Sequence, residues 1–147
     1  MDADVYGPSL PTMTVVEGTR LGMGDNMIIP AVAGGMKLMS IGFIADRNKA
    51  VIWRGPMAHG VIERFLEQVD WGELDYLIVD LPPGTGDVPL SLAQSIPVIG
   101  AVVICTPQDI ALLDARRAVE MYEQLGVGCL GIVENVSYYV LSAVRPS

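Results

Sequence analysis

The stretch from Ala101 to Val133 constrains this chain more than any other part of it. Two apolar runs, Ala101-Val102-Val103-Ile104-Cys105 and Val127-Gly128-Cys129-Leu130-Gly131-Ile132-Val133, show no polar alternation, as expected of strands covered on both faces of a sheet. Between them, Thr106-Pro107-Gln108-Asp109 has the marks of a helix start. Thr106 can cap, Pro107 suits the first helical position, and Asp109 places a carboxylate where the helix dipole is positive. Ile110, Leu113, Val119, Tyr122 and Leu125 then recur at helical spacing, and Gly126 supplies the stop. Strand, helix and strand in that order predict a βαβ unit, and with it an α/β fold built on a parallel sheet.

Upstream, Tyr76-Leu77-Ile78-Val79 reads as another buried strand after the Trp71-Gly72-Glu73 turn. Ala58, Val61, Ile62, Phe65, Leu66 and Val69 form an amphipathic helix after the Gly55-Pro56 breaker. Residues 27–29, 37–44 and 51–53 suit strands or extended segments, with Gly34-Gly35 and Asp46-Arg47-Asn48 as turns. With 147 residues, 51% of them hydrophobic, and no repeat or linker, the expectation is one domain over 1–147.

A net charge of −8, with nine scattered Lys and Arg, repels a phosphate backbone, so no nucleic-acid partner is expected. Cys105 and Cys129 lie far apart inside apolar runs, which gives neither a C-x-x-C knuckle nor a disulfide framework. The N-terminus lacks a basic or apolar leader, and the apolar stretch 97–105 is too short to cross a bilayer. A cytoplasmic, soluble protein without a membrane partner is expected.

The chemistry concentrates in Val79-Asp80-Leu81-Pro82-Pro83-Gly84-Thr85-Gly86-Asp87. Ligands collect at the carboxyl ends of strands in open α/β sheets, which is where Asp80 falls. A carboxylate there suits a hydrated Mg²⁺, and the glycines let backbone N–H groups approach phosphate oxygens. The same residues also suit a strand that simply ends in a rigid turn. Asp2-Ala3-Asp4-Val5-Tyr6-Gly7-Pro8-Ser9 sets two carboxylates on alternate residues before a Gly-Pro turn, and by composition alone it suits a polar tail.

Taken together, these two segments resemble the D-A-D-x-Y-G-P-S switch I and D-x-P-P-G-T-G-D switch II of Mrp-type ATPases. Those are iron–sulfur cluster carriers of the deviant Walker A group of P-loop NTPases. Met23-Gly24-Asp25-Asn26, Ser40-Ile41-Gly42-Phe43, Trp53-Arg54-Gly55-Pro56, Trp71-Gly72-Glu73-Leu74-Asp75-Tyr76, Thr106-Pro107-Gln108-Asp109 and Glu134-Asn135-Val136-Ser137-Tyr138 extend the resemblance to about residue 140.

The resemblance implies ATP and Mg²⁺ as cofactors, an iron–sulfur cluster as cargo, apo iron–sulfur proteins as partners, and a homodimer. It implies switch I at 2–9, switch II at 80–87 and a base-binding segment at 134–138. Asp2 would stand near Mg²⁺ and the attacking water, with Asp4 nearby, and Asp80 would hold Mg²⁺ through water. Gly84, Thr85 and Gly86 would approach the γ-phosphate, Asn135 would meet the adenine edge, and Pro107 would line the base pocket.

Two departures follow. The family reaches D-A-D through a strand, a G-K-G-G-V-G-K-[ST] loop, a helix and a second strand, whereas Met1 here directly precedes Asp2. The family also continues into C-P-x-C, where this chain has a divergent tail at 141–147. The expectation is an incomplete domain, from a truncated gene product or a divergent paralogue, that is marginally stable and deficient in ATP hydrolysis and cluster binding. An ATPase-like binding module that pairs with an intact homologue is the alternative. Another is a partitioning or septum-positioning ATPase.

His59 is expected as a surface or half-buried helical residue, Arg54 in a surface ion pair, and Met23, Met27, Met36 and Met39 as core filling.

Overall fold

The computed structural model describes residues 1–14, 21–24, 26–44, 55–84 and 86–138. The turn at 46–48, the segment 51–53, Arg54, Thr85 and the tail at 141–147 lie outside the described residues. The chain forms two compact units, Met1–Ser95 and Ile96–Ser147.

The second unit is the βαβ unit. Strands β5 (Ala101–Cys105) and β6 (Cys129–Glu134) pair in parallel from Ala101↔Cys129 to Cys105↔Glu134, with an irregularity between Ala101 and Val102. Helix α4 (Asp109–Gln124) crosses between them. Its start differs from expectation, because Gln108 is the N-cap and no side chain caps it, which leaves Thr106 and Pro107 ahead of the helix. Asp109 does occupy the first turn. The stop is as expected. Leu125 caps, Gly126 turns left-handed at φ 73°, Gly126 N–H donates to Glu123 O at 3.0 Å, and Val127 N–H donates to Tyr122 O at 2.8 Å.

One face of this sheet is covered. Val103 and Cys105 pack with Ala115 of α4, flanked by Ala118, Val119 and Cys129. On the other face Val102 and Ile104 are exposed, with exposed Val133 paired to Ile104; Leu130 and Ile132 of β6 are exposed as well. The lack of polar alternation had implied cover on both sides, and the described residues provide it on one.

The first unit opens with the short helix α1 (Leu10–Met13). Two antiparallel hairpins follow, β1 (Gly22–Gly24) with β2 (Met27–Ile29) and β3 (Ala31–Ala33) with β4 (Met36–Leu38). Gly34 and Gly35, at φ 57° and 79°, form the two-residue turn that needs both residues left-handed. A 3₁₀ turn at Ile41–Phe43 replaces the later part of the extended segment expected at 37–44. Of the four methionines expected to fill the core, Met39 is fully buried, Met27 is half-buried, and Met23 and Met36 stand exposed on the hairpins.

Helix α2 (Gly55–Gln68) carries the expected apolar face, with Ile62 and Phe65 buried and Val69 buried just beyond its end. Past Val69 the chain is pinned three times. Asp70 N–H donates to Ile28 O at 2.9 Å, Trp71 Nε1 donates to Phe65 O at 2.8 Å, and Lys37 Nζ donates to Trp71 O. Helix α3 (Asp87–Ser95), which packs on α2, was not anticipated in the sequence. Pro89 is tolerated there because the first-turn N–H groups have no helical partner to lose.

Tyr76-Leu77-Ile78-Val79 is extended but not a buried strand. Tyr76 and Ile78 are 82% and 79% exposed, since the described residues cover only one side of the segment.

Truncating Ile62 to Ala is expected to lower the unfolding free energy by about 2–4 kcal/mol in urea titrations, because the side chain is fully enclosed. A double change of Ile104 and Ile132 to Thr is expected to keep stability within about 1 kcal/mol while reducing concentration-dependent association in light scattering.

Candidate functional site

Residues 1–3 run as a short extended segment between two others. Met1 N donates to Ile78 O at 2.7 Å, Asp80 N–H donates to Met1 O at 2.9 Å, and Ala3 N–H donates to Asp80 O at 2.8 Å. This alternating exchange is the signature of parallel pairing, with Asp2 opposite Asp80. On the other flank Asp2 N–H donates to Met39 O at 2.8 Å. Ala3, Val5 and Met39 are buried around it, which fixes the backbone of Asp2 from both sides.

The Asp2 side chain is almost wholly enclosed, at 4% exposure. Ser40 Oγ donates to Oδ2 at 2.8 Å, and Asp4 N–H donates to Oδ1 at 3.0 Å. Burial raises the carboxyl above the usual aspartate range. The Ser40 hydroxyl and the backbone N–H groups of Asp4 and Leu10 work against that rise, and the charge of Asp80 adds to it. Asp80 itself is exposed. The paired residues thus give one enclosed and one open carboxylate at the end of a parallel pairing.

Asp4 plays a different part. Its Oδ1 accepts from Tyr6 N–H at 3.0 Å and from Gly7 N–H at 3.1 Å, so the carboxylate closes its own loop. Gly84 is left-handed at φ 96°, and a side chain added at Gly84 or Gly86 would meet open space. Backbone approach at these glycines is unobstructed, while Thr85 between them lies outside the described residues.

In the second unit, Pro107 and Asn135 follow the carboxyl ends of β5 and β6, where α/β sheets bind ligands. Asn135 N–H donates to Cys105 O at 2.7 Å, extending the β5–β6 ladder by one bond. Its side-chain Oδ1 accepts from Val136 N–H at 2.9 Å, and Val136 is left-handed at φ 56°. Both Pro107 and Asn135 are exposed.

No group of three or more His, Cys, Asp or Glu side chains that could hold a metal occurs among the described residues. The Asp2–Asp80 pair still suits Mg²⁺, an ion that takes one or two carboxylates and completes its shell with water and phosphate. The cysteines do not form a cluster site, since Cys105 is buried against α4 and the Cys129 thiol is directed to Gly131 O at 3.5 Å. His59 is half-buried on α2, with Nε2 3.2 Å from Glu63 Oε1.

Ser40 was quoted in the sequence as part of a motif but given no role. Its partner lies 38 residues away, so no local pattern could have revealed the bond.

This geometry, parallel-paired carboxylates followed by a glycine turn, defines a P-loop NTPase-like α/β protein. The family model for ParA, described as NUBPL iron-transfer P-loop NTPase, matches residues 1–146, and the chain belongs to that family. An iron–sulfur cluster carrier protein of Synechocystis sp. is 51% identical over 95% of this chain and 41% of its own length. The mouse iron–sulfur cluster transfer protein NUBPL is 48% identical over 95% of this chain and 44% of its own. A solved structure, the nucleotide-binding protein of Archaeoglobus fulgidus in complex with ADP, superposes with a TM-score of 0.76 at 40% identity. It covers 94% of this chain and 53% of that one. The chain therefore spans about half, or somewhat less, of the length of the relatives it matches.

The raised Asp2 carboxyl fixes the sign of a pH effect. The folded state holds the proton more tightly than the unfolded state, whose value is near 3.8. The contribution of Asp2 to stability is therefore fully present below that value and is lost as pH rises through the higher folded one. Asp2→Asn is expected to remove this falling component from stability measured between pH 4 and 7. An unchanged slope would assign it to other carboxylates.

Proposed function

We propose that these residues form the switch and base-contacting portion of an ATP-binding iron–sulfur cluster carrier, with the whole protein delivering clusters to apo iron–sulfur proteins. The observation that carries this reading is the parallel bridge that sets Asp2 against Asp80, in a chain about half identical to named cluster carriers.

Asp80, open to solvent, would hold Mg²⁺ through water, and Asp2, enclosed and fixed, would orient the attacking water beside it. When bound, Mg²⁺ neutralises charge on the phosphate oxygens. Gly84, Thr85 and Gly86 would bring backbone N–H groups to the γ-phosphate. Pro107 would line the base pocket, and Asn135, whose amide both donates and accepts, would read the adenine edge. Asp4, whose Oδ1 closes the loop to Tyr6 and Gly7, would stand nearby. The protein would work in the cytoplasm, as a homodimer or paired with an intact homologue. The exposed apolar side chains of Val102, Ile104 and Val133 support pairing with further polypeptide.

The 147 residues contain no G-K-G-G-V-G-K-[ST] loop, so we expect no ATP turnover from them alone and a MgATP Kd no tighter than about 1 mM by calorimetry. Micromolar binding that Asp80→Ala abolishes would show that these residues suffice. In a chimaera that supplies the strand, loop and helix ahead of Met1, turnover is expected to appear. Asp80→Ala and Asp2→Asn should each lower it by about 10²-fold or more. Full turnover in both variants would sink the reading.

A further inference from the structure

We propose that Ser40 is the positioning residue for Asp2, holding its carboxylate in a single rotamer through the hydrogen bond from Oγ to Oδ2. The inference deepens the reading of Asp2 as the group that orients water, and in that respect rests on it.

The geometry leaves the serine proton one use. Gly42 N–H donates to Ser40 Oγ at 3.1 Å, occupying a lone pair, and Asp2 Oδ2 lies 2.8 Å away on the other side. A carboxylate can only accept there when ionised, so the Ser40 hydroxyl donates to it. Ser40 is fully buried, which leaves no water to compete for that proton.

The serine is itself held. Its backbone is extended at φ −152° and ψ 150°, and it caps the 3₁₀ turn at Ile41–Phe43. Gly42 lets that turn press on the end of switch I and the start of α1. A Cβ at Gly42 would stand 2.9 Å from Pro11 Cγ and 3.3 Å from Pro8 Cβ, both on stiff rings. The neighbouring Met39 carbonyl accepts from Asp2 N–H at 2.8 Å. Residues 39–42 therefore grip Asp2 by its backbone and its carboxylate together, with Pro8 and Pro11 packed against Gly42. Asp2 Oδ1 keeps its donor in Asp4 N–H, and Leu10 N–H also serves the carboxyl, so removing Ser40 Oγ takes away the one side-chain donor and leaves the backbone donors in place.

The test is heteronuclear NMR on the 147-residue chain, reading the Asp2 χ1 angle from three-bond couplings between Cγ and the backbone nitrogen and carbonyl carbon. The unmodified chain is expected to give the limiting values of one staggered rotamer. Ser40→Ala should move both couplings to averaged values. Ser40→Cys fills nearly the same space with a much weaker donor and should also average them. It carries the test if the alanine variant fails to fold. A single Asp2 rotamer in Ser40→Ala overturns the proposal, as does full restoration by Cys, which would make packing the cause. Neither readout uses nucleotide, so failure of the water-orienting role shows separately, as unchanged turnover in the Asp2→Asn chimaera.

Discussion

Everything proposed for this protein depends on the backbone exchange that wedges residues 1–3 between Met39 and the segment 78–80. Three bonds to Ile78 and Asp80 and one to Met39 hold the segment, and each is a main-chain bond between 2.7 and 2.9 Å. Side-chain chemistry then follows from register. Pairing puts Asp2 opposite Asp80, and a slip of one residue would send Ala3 to that position and turn Asp2 to the other face. Enclosure has a cost, visible in the upward push on the Asp2 carboxyl, which the donors from Ser40, Asp4 and Leu10 partly offset. The site is thus a compromise between placing a carboxylate accurately and keeping it ionised.

Much of this was legible before any coordinates, because the signals were local. The βαβ unit announced itself through two apolar runs and a glycine stop, and Gly126 adopts the left-handed turn that the stop requires. Gly34-Gly35 marked the turn between β3 and β4, although Ala31–Ala33 was not read as a strand. Switch I and switch II were legible as motifs, and the structure brings Asp2 and Asp80 together.

What stayed hidden was non-local or was disguised by composition. Helix α3 lay under the glycine- and proline-rich run of switch II, where Pro89 argues against a helix unless it falls in the first turn. The helix start was read two residues early, since Thr106 and Pro107 look like a cap but Gln108 takes that position without a side-chain bond. Burial misled in the same direction twice. Ile78 in one unit and Ile104 in the other are apolar and yet exposed, at 79% and 68%. Apolar runs report the cover a strand requires, not how much of that cover the described residues supply.

The carboxylates of the first unit and Asn135 of the second are held by different physics. In the first unit the carboxylates are fixed by pairing and by a buried hydroxyl, so their geometry is over-determined. In the second, Asn135 is exposed, and its place is set by one ladder bond to Cys105 and by Val136. A left-handed conformation at φ 56° is unfavourable for a β-branched residue, and it persists only where the surroundings demand it. Here it turns the chain immediately after the ladder ends, with Val136 N–H directed back to Asn135 Oδ1. That bond takes one of the two lone pairs of the amide oxygen, while the NH₂ group is a separate donor on the same side chain. One lone pair of that oxygen and the NH₂ group are left by this bond, so a base edge could be met without losing the local partner. Asp2, by contrast, is served by three donors, the Ser40 hydroxyl and the N–H groups of Asp4 and Leu10.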